Sequence, residues 1–235
     1  MLTIHATSRT DLLAKLREID ISCPPRNKCT PGQVEVWSGC RLLATIARDE
    51  ALSYPLALTH RDRPDFFLVL PSRVVGIEIT EAVPSNWAWA LSKRDENDPE
   101  KPIMLERFAP GEAPRPRQEI EHIARGGGRG GIWPGDASEE DWAAAMLHFS
   151  IEKKRKVAKP GFVSCDENWL VIYDSWNAPG LDETKAAQRF FQRLLTVREP
   201  LRFQRIFVER KKTFWQFTDG GFWRSPINDL WTKDC

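Results

Sequence analysis

Two acidic residues, Asp65 and Glu78, occupy positions where a β-hairpin would bring their side chains together. Two runs rich in β-branched and aromatic residues, Phe66–Leu70 and Val74–Thr80, flank a short Pro-Ser break, a pattern typical of a hairpin. With the turn centred on that break, Asp65 faces Glu78, and facing residues have Cβ atoms about 4.5–5.5 Å apart. Two carboxylates this close repel each other unless a positive charge lies between them. Their oxygen atoms suit Mg²⁺ or Mn²⁺, so the hairpin predicts a divalent metal site.

A helix further along the chain supplies lysines that could reach this site. Residues 138–158 have Ser138 as the predicted N-cap, acidic residues in the first turn and basic residues at the end. Lys153 lies about 20° from Trp142 on the helical wheel and Lys156 about 40° away on the other side, so both prolong the core-facing stripe. The alternative is that they only complement the helix dipole and extend to solvent. The stripe itself consists of Trp142, Ala145, Met146 and Phe149.

A second helix, predicted over residues 33–53, carries two further acids on its apolar side. Glu35 and Glu50 both fall within about 40° of Ile46 on the helical wheel. Such an acid is either an edge residue that extends to solvent or a buried functional group. Residues 55–60 are expected to form a short strand leading into the hairpin.

The remaining elements indicate an α/β protein with a mixed sheet. A continuous apolar run indicates a buried strand, and basic amphipathic periodicity indicates a helix. We expect residues 219–221 to form a turn and the last residues a tail. The other predicted elements are strand Leu2–His5, helix Asp11–Glu18 with Ser8 or Thr10 as cap, strand Asn168–Tyr173, helix Asp182–Val197, and strands Arg205–Val208 and Thr213–Thr218.

Residues 84–137 are expected to form an irregular insertion within a single domain that spans 1–235. They contain seven prolines and the glycine-rich run Arg125–Gly131, with a helix predicted only at Arg117–Arg125. A connection of this length is either functional or partly disordered. The glycine-rich run resembles an RNA-binding arginine–glycine tract or a phosphate-cradling loop, but a flexible hinge fits it as well, and it lacks the Lys-Ser/Thr of a P-loop.

The amino-acid composition excludes some classes of protein but does not identify one. With 41% hydrophobic residues, 29% charged residues and a net charge of +1, the chain has no overall basic signature for nucleic acid. The five scattered cysteines include no C-x-x-C pair, which favours reduced thiols over a zinc ribbon. The first residues lack the apolar core of a signal peptide, and no long apolar run occurs. We therefore expect a soluble cytoplasmic protein that does not enter a membrane.

The order of these residues resembles the PD-(D/E)xK nuclease superfamily. The resemblance rests on a helix with an acid, then Pro64-Asp65, then a hairpin ending in Glu78-Ile79-Thr80, then a helix and a strand. Residues 33–83 and 138–174 would supply the restriction-endonuclease-like core of that superfamily, namely a helix, three strands, a helix and a fourth strand. The resemblance covers a little over a third of the chain.

The resemblance implies a role for each residue of the motif. Asp65 and Glu78 would bind Mg²⁺ or Mn²⁺ together with the backbone carbonyl of Ile79. The helix acid would be Glu35, with Glu50 as second choice. The chain departs from the pattern at Thr80, where the superfamily has a catalytic lysine. Some members supply that lysine from the following helix, which here implies Lys153 and then Lys156.

The resulting expectation is a Mg²⁺-dependent nuclease, endo- or exonucleolytic, that hydrolyses phosphodiester bonds of DNA or RNA. A nuclease-like fold that binds nucleic acid without cleaving it is the first alternative, motivated by Thr80. An unrelated α/β enzyme or interaction protein is the second. The oligomeric state is open, a homodimer included. The predicted phosphate contacts are basic side chains, namely Lys154, Arg155, Lys159, Arg189, Arg193, Arg125 and Arg129.

Overall fold

A mixed, open β-sheet forms the centre of the molecule. The computed structural model describes residues 2–21, 30–49, 52–159, 161–198 and 201–231. Within these ranges the sheet has eight strands, whose spatial order follows their order in the chain. The strands are β1 (Thr3–Ala6), β2 (Leu56–His60), β3 (Phe66–Leu70), β4 (Arg73–Ala82), β5 (Glu167–Asp174), β6 (Arg205–Arg210), β7 (Thr213–Thr218) and β8 (Gly221–Pro226).

Helices join and cover these strands. β4, β5 and β6 are parallel neighbours, and all other neighbouring strands are antiparallel. Because parallel neighbours need a long crossover, the helices of the second half of the chain lie in the two connections between these three strands. The α-helices are α1 (Arg9–Arg17), α2 (Pro31–Asp49), α3 (Ser85–Asn97), α4 (Arg117–His122), α5 (Ala137–Val157) and α6 (Glu183–Leu195), and a short π-helix (Ile123–Gly127) follows α4.

The sheet has a hydrophobic layer on each side. On one side α1 and α2 pack against residues such as Ile77, Ile79 and Phe207. On the other side α5 and α6 pack against residues such as Leu170 and Ile172. Because successive strand residues point to opposite faces, Glu78 points towards the α5 side while its neighbours Ile77 and Ile79 point towards α2.

The β3–β4 hairpin has the register that the sequence predicts. Phe66 pairs with Ile77 and Leu70 with Arg73, which places Asp65, immediately before β3, opposite Glu78. The prediction of an α/β protein with a mixed sheet is therefore confirmed, as is the facing arrangement of the two acids. β4 continues to Ala82, beyond the predicted end of the strand, because it pairs with β5 along its whole second half.

The prediction of an irregular segment at residues 84–137 is wrong in part. α3 occupies 13 of these residues, and Trp87 and Ala90 on its buried face pack with Phe108, Ile120 and Ile123 in a third, smaller core. The glycine-rich run is also closely packed rather than an open hinge. A Cβ at Gly131 would lie 2.8 Å from the backbone nitrogen of Arg107, so this close approach requires glycine.

Two smaller predictions are also corrected. Asp136, not Ser138, precedes α5, and the hydroxyl of Ser138 instead donates to the carbonyl of Pro179. The residues after β8 are not a loose tail as far as the structure describes them. Ile227, Leu230 and Trp231 pack against the core of the α2 side, and the Trp231 indole donates to the carbonyl of Ile19.

Two of the five cysteines lie within the described residues. Cys40 and Cys165 are free thiols, whereas Cys23, Cys29 and Cys235 lie outside the described residues. No helix in the described part of the chain has the length and apolar character needed to cross a membrane.

Candidate active site

The hairpin buries two carboxylates next to each other. Asp65 is 8% exposed and Glu78 is 3% exposed. The backbone N–H of Ile79 donates to Oδ2 of Asp65 at 2.6 Å, which ties the residue before β3 to the middle of β4. This bond brings the main chain of Ile79 into the cluster, while the predicted ligand role of its carbonyl stays a prediction.

Lys153 from α5 lies between the two acids. Its Nζ is 2.8 Å from Oε2 of Glu78 and 3.2 Å from Oδ2 of Asp65. The side chain is 12% exposed, so the ammonium group is largely removed from water. The periodicity of α5 explains this position, because Lys153 continues the stripe that includes the buried residues Trp142 and Met146.

The three charges shift one another's protonation. Burial first, and then the neighbouring charge of Asp65, raise the pKa of Glu78 from its ordinary 4.5 to about 7, although Lys153 opposes them. Burial also raises the pKa of Asp65, although Lys153 and the Ile79 N–H oppose this. Burial alone would lower the pKa of Lys153, but the two carboxylates outweigh it and raise that pKa. The Lys153 ammonium therefore stays charged at neutral pH, whereas the Glu78 carboxyl titrates near neutral pH.

One oxygen of the cluster has no partner. Oε1 of Glu78 is buried and accepts no hydrogen bond within the described part of the structure. A buried carboxylate oxygen without a donor or cation is costly. With both acids ionised, two negative charges also face a single ammonium. The unpartnered oxygen and this excess of negative charge fit a divalent cation, with Asp65 and Glu78 as its ligands.

The set of acids is nevertheless small for a metal site. No group of three or more His, Cys, Asp or Glu side chains within the described ranges is arranged to hold a metal ion. In this conformation Lys153 takes the space between the two carboxylates, so a cation and the ammonium would share the same oxygens.

Glu35, the predicted helix acid, lies near the cluster but does not join it directly. Its Oε2 is 2.8 Å from Nε2 of His60, at the end of β2. Its charge contributes to the raised pKa of Asp65, after burial, which places the two carboxylates within electrostatic reach. Because α2 covers the face opposite to α5, Glu35 approaches from the other side of the sheet. The alternative helix acid, Glu50, lies outside the described residues.

Thr80 and Lys156 lie at the edge of the cluster. Thr80 is two residues after Glu78 on the same strand face and is half-buried, so its hydroxyl is on the side of α5. Lys156 is exposed, in the last turn of α5, and lacks the contacts that Lys153 makes with the two acids. The structure therefore distinguishes the two lysines that the helical wheel leaves as alternatives.

A band of basic residues surrounds this end of α5. Arg155 and Lys159 are exposed and Lys154 is half-buried, all within or just after the last turn. The β2–β3 loop adds Arg61 and Arg63, which sequence reasoning missed. Nη1 of Arg63 would lie 4.0 Å from a Cβ at Gly161, so this loop lies against the segment that follows α5. Their position in the loop just before Asp65 was the available signal.

The other predicted phosphate contacts lie elsewhere. Arg189 and Arg193 of α6 form ion pairs with Glu140, and Arg189 also pairs with Asp136, so these arginines join α6 to the start of α5. Nη2 of Arg125 lies 3.8 Å from Oε2 of Glu121. Arg129 is exposed and lines a cavity within residues 84–137. None of these four takes part in the contacts around Asp65 and Glu78. Their predicted role in nucleic-acid binding stays a prediction.

Comparisons with protein-family models, with curated proteins and with solved structures find no match to this chain.

Proposed function

We propose that the protein is a nuclease-like phosphodiester hydrolase that depends on Mg²⁺ or Mn²⁺. The observation that carries the proposal is the convergence of Asp65, Glu78 and Lys153, with a buried oxygen of Glu78 left without a partner. The order α2, β2, β3, β4, α5, β5 is compatible with the restriction-endonuclease-like core that the sequence resembles.

Each residue has a chemical task in this proposal. Asp65 and Glu78 hold the cation, and the Ile79 N–H keeps the Asp65 carboxylate oriented. When bound, the cation lowers the pKa of water and neutralises phosphate charge. Lys153 orients the attacking water and places positive charge beside the oxygen that gains negative charge. Thr80 offers a hydroxyl that can hold the same water in place.

The basic band at the end of α5 is suited to the phosphate backbone. Lys154, Arg155 and Lys159 lie beyond Lys153 on the chain, and Arg61 and Arg63 lie in the loop that leads to Asp65. Contacts of this kind bind nucleic acid without reading its sequence, and salt weakens them. Because DNA and RNA share this phosphate backbone, the proposal includes both as substrates.

The direct test is cleavage of end-labelled single- and double-stranded DNA and RNA by the purified chain with Mg²⁺ or Mn²⁺. We expect Asp65→Asn and Glu78→Gln each to reduce cleavage by about 100-fold or more, since each removes a ligand charge. Glu152→Gln is the matched control, because Glu152 is exposed on α5 next to Lys153. Cleavage that persists in both site variants would contradict the proposal.

A binding module without cleavage is the second candidate function. Lys153 already contacts both carboxylates, and position 80 holds threonine in place of the superfamily's lysine. In that case calorimetry should detect salt-dependent binding of nucleic acid but no binding of Mg²⁺, and Asp65→Asn should leave nucleic-acid affinity unchanged.

A further inference from the structure

A cavity on the α2 side of the sheet lies away from the acidic cluster. It has a volume of about 450 Å³ and lies between the second half of α2 and strands β6 to β8. Its wall includes Leu42 and Ile46 from the helix and Phe214 from β7. This volume lies within the range of small-molecule sites, about 300–1,000 Å³.

An amide without a partner lines this cavity. Gln216 of β7 is 6% exposed, and its Nε2 makes no hydrogen bond within the described part of the structure. Phe207 and Trp223 are its register partners on β6 and β8, so an amide lies between two aromatic residues in one row across the sheet. Trp223 is 44% exposed, so one side of its indole is open to solvent. A planar ligand with a hydrogen-bond acceptor matches this row.

The charges of the cavity are separated along the strands. Arg205 lies two residues before Phe207 on β6, about 7 Å along the strand, and its guanidinium is 5.0 Å from the ring centroid of Trp169. Asp49 lies at the other end, where it pairs with Arg48 and interacts with Ser225. An anionic group is therefore expected at the Arg205 end, because the Asp49 end already holds a carboxylate paired with Arg48.

We propose that this cavity binds a nucleoside monophosphate. The base lies along the aromatic row and accepts a hydrogen bond from Nε2 of Gln216, as glutamine amides do at base edges. The phosphate lies at the Arg205 end, one ribose away from the base. The site is on the opposite face of the sheet from Lys153, so its occupancy does not depend on the proposed nuclease activity.

The test is calorimetric titration of the full chain with AMP, GMP, CMP and UMP, each alone. We expect at least one of them to bind, and we expect Gln216→Leu to weaken that binding about tenfold or more. Gln192→Leu, on the exposed side of α6, is the matched control and should leave the affinity unchanged. Asp65→Asn should also leave it unchanged, which separates this site from the acidic cluster.

A second measurement does not depend on a buried substitution. Trp223 is exposed, so Trp223→Phe should fold normally, keep the aromatic ring and remove the indole fluorescence at the site. We expect the change in fluorescence on nucleotide binding to be reduced in this variant. The corresponding nucleoside should bind more weakly than the monophosphate. The absence of binding by all four nucleotides, equal affinity in Gln216→Leu, or an undiminished fluorescence change in Trp223→Phe would each overturn the proposal.

Discussion

Two of the buried clusters of acid and base in the described part of the chain are built differently. In the first, at the end of β5, the Asp174 side chain is 0% exposed. Its Oδ1 accepts from the backbone N–H of Trp176, and its Oδ2 accepts from the Trp142 indole and from Nη1 of Arg210. Both oxygens of this carboxylate therefore have hydrogen-bond partners. The guanidinium also faces a second, partly exposed acid, because Nε of Arg210 lies 3.4 Å from Oε1 of Glu183.

The second cluster, around Glu78, is not saturated. Two carboxylates meet one ammonium, and Oε1 of Glu78 has no hydrogen-bond partner among the described residues. Burial raises the pKa of Asp174 as well as that of Glu78, so burial does not distinguish the clusters. The difference lies in the hydrogen bonds of the buried carboxylates, since both oxygens of Asp174 have partners and Oε1 of Glu78 has none among the described residues. Loss of a partner from the saturated cluster is expected to reduce stability, whereas the unsaturated cluster is expected to take up a ligand.

The largest expected effect comes from the saturated cluster. Asp174→Asn keeps the shape of the side chain but removes the buried counter-charge of Arg210, which then faces only the partly exposed Glu183. We expect a loss of about 3–5 kcal/mol in the free energy of unfolding. Chemical denaturation at pH 8 measures it. Asp219→Asn, in an exposed turn, is the control and should stay within about 0.5 kcal/mol of the unsubstituted protein. Equal values for both variants would remove the contrast between the clusters.

Removal of the Lys153 ammonium from the second cluster should have a smaller effect on stability, and that effect should depend on pH. Lys153→Met leaves two buried carboxylates facing each other, and we expect a loss of about 2 kcal/mol at pH 8. The carboxylates raise the pKa of Lys153, so its ammonium is charged throughout the range tested. At pH 5.5 Glu78 is largely protonated, because its pKa is about 7, and the loss should shrink. Exposed Lys156→Met should show neither effect.

Glu78→Gln tests the same cluster, and here we expect a gain in stability at high pH rather than a loss. The folded-state pKa of Glu78 is about 7, above its ordinary value of 4.5, so the folded protein binds the proton more tightly and loses stability as pH rises between these values. The glutamine variant does not titrate. It should match the unsubstituted protein near pH 4.5 and exceed its stability by about 3 kcal/mol at pH 8, since each unit of the pKa difference is worth about 1.4 kcal/mol. Thermal unfolding at several pH values measures the difference, and a constant difference across this range would contradict the assignment.

Local patterns predicted the centre of the candidate site. The facing of Asp65 and Glu78 follows from the turn and from strand alternation, which are properties of one short stretch of chain. The inward position of Lys153 follows from helical periodicity, and only the mutual approach of hairpin and helix required the fold. These contacts were predictable because each depends on the geometry of a single element.

The parts that sequence reasoning missed depend on contacts between distant elements. The pairing of Arg189 with Asp136 and Glu140 becomes visible only when α6 lies beside α5. α3 was not predicted, because its buried face packs against the small core within residues 84–137 rather than against the sheet. The unpartnered amide of Gln216 has no sequence signal, since a missing partner is a property of the whole fold.

The smallest expected effect concerns the position of the lysine. Thr80 lies on the same strand face as Glu78, so Thr80→Lys places an ammonium where the superfamily has one. In a Lys153→Met background we expect this change to restore about 0.5–1 kcal/mol of stability at pH 8, since a new charge again faces the two carboxylates. It should also restore part of any lost cleavage, because the position of the charge rather than the element that carries it determines its action on water. The matched control is Thr80→Met in the same background, which adds a side chain of comparable bulk without charge. Equal stability and equal activity in the two double variants would show that the carboxylates require the approach of Lys153 from α5, and that the strand position is not equivalent to it.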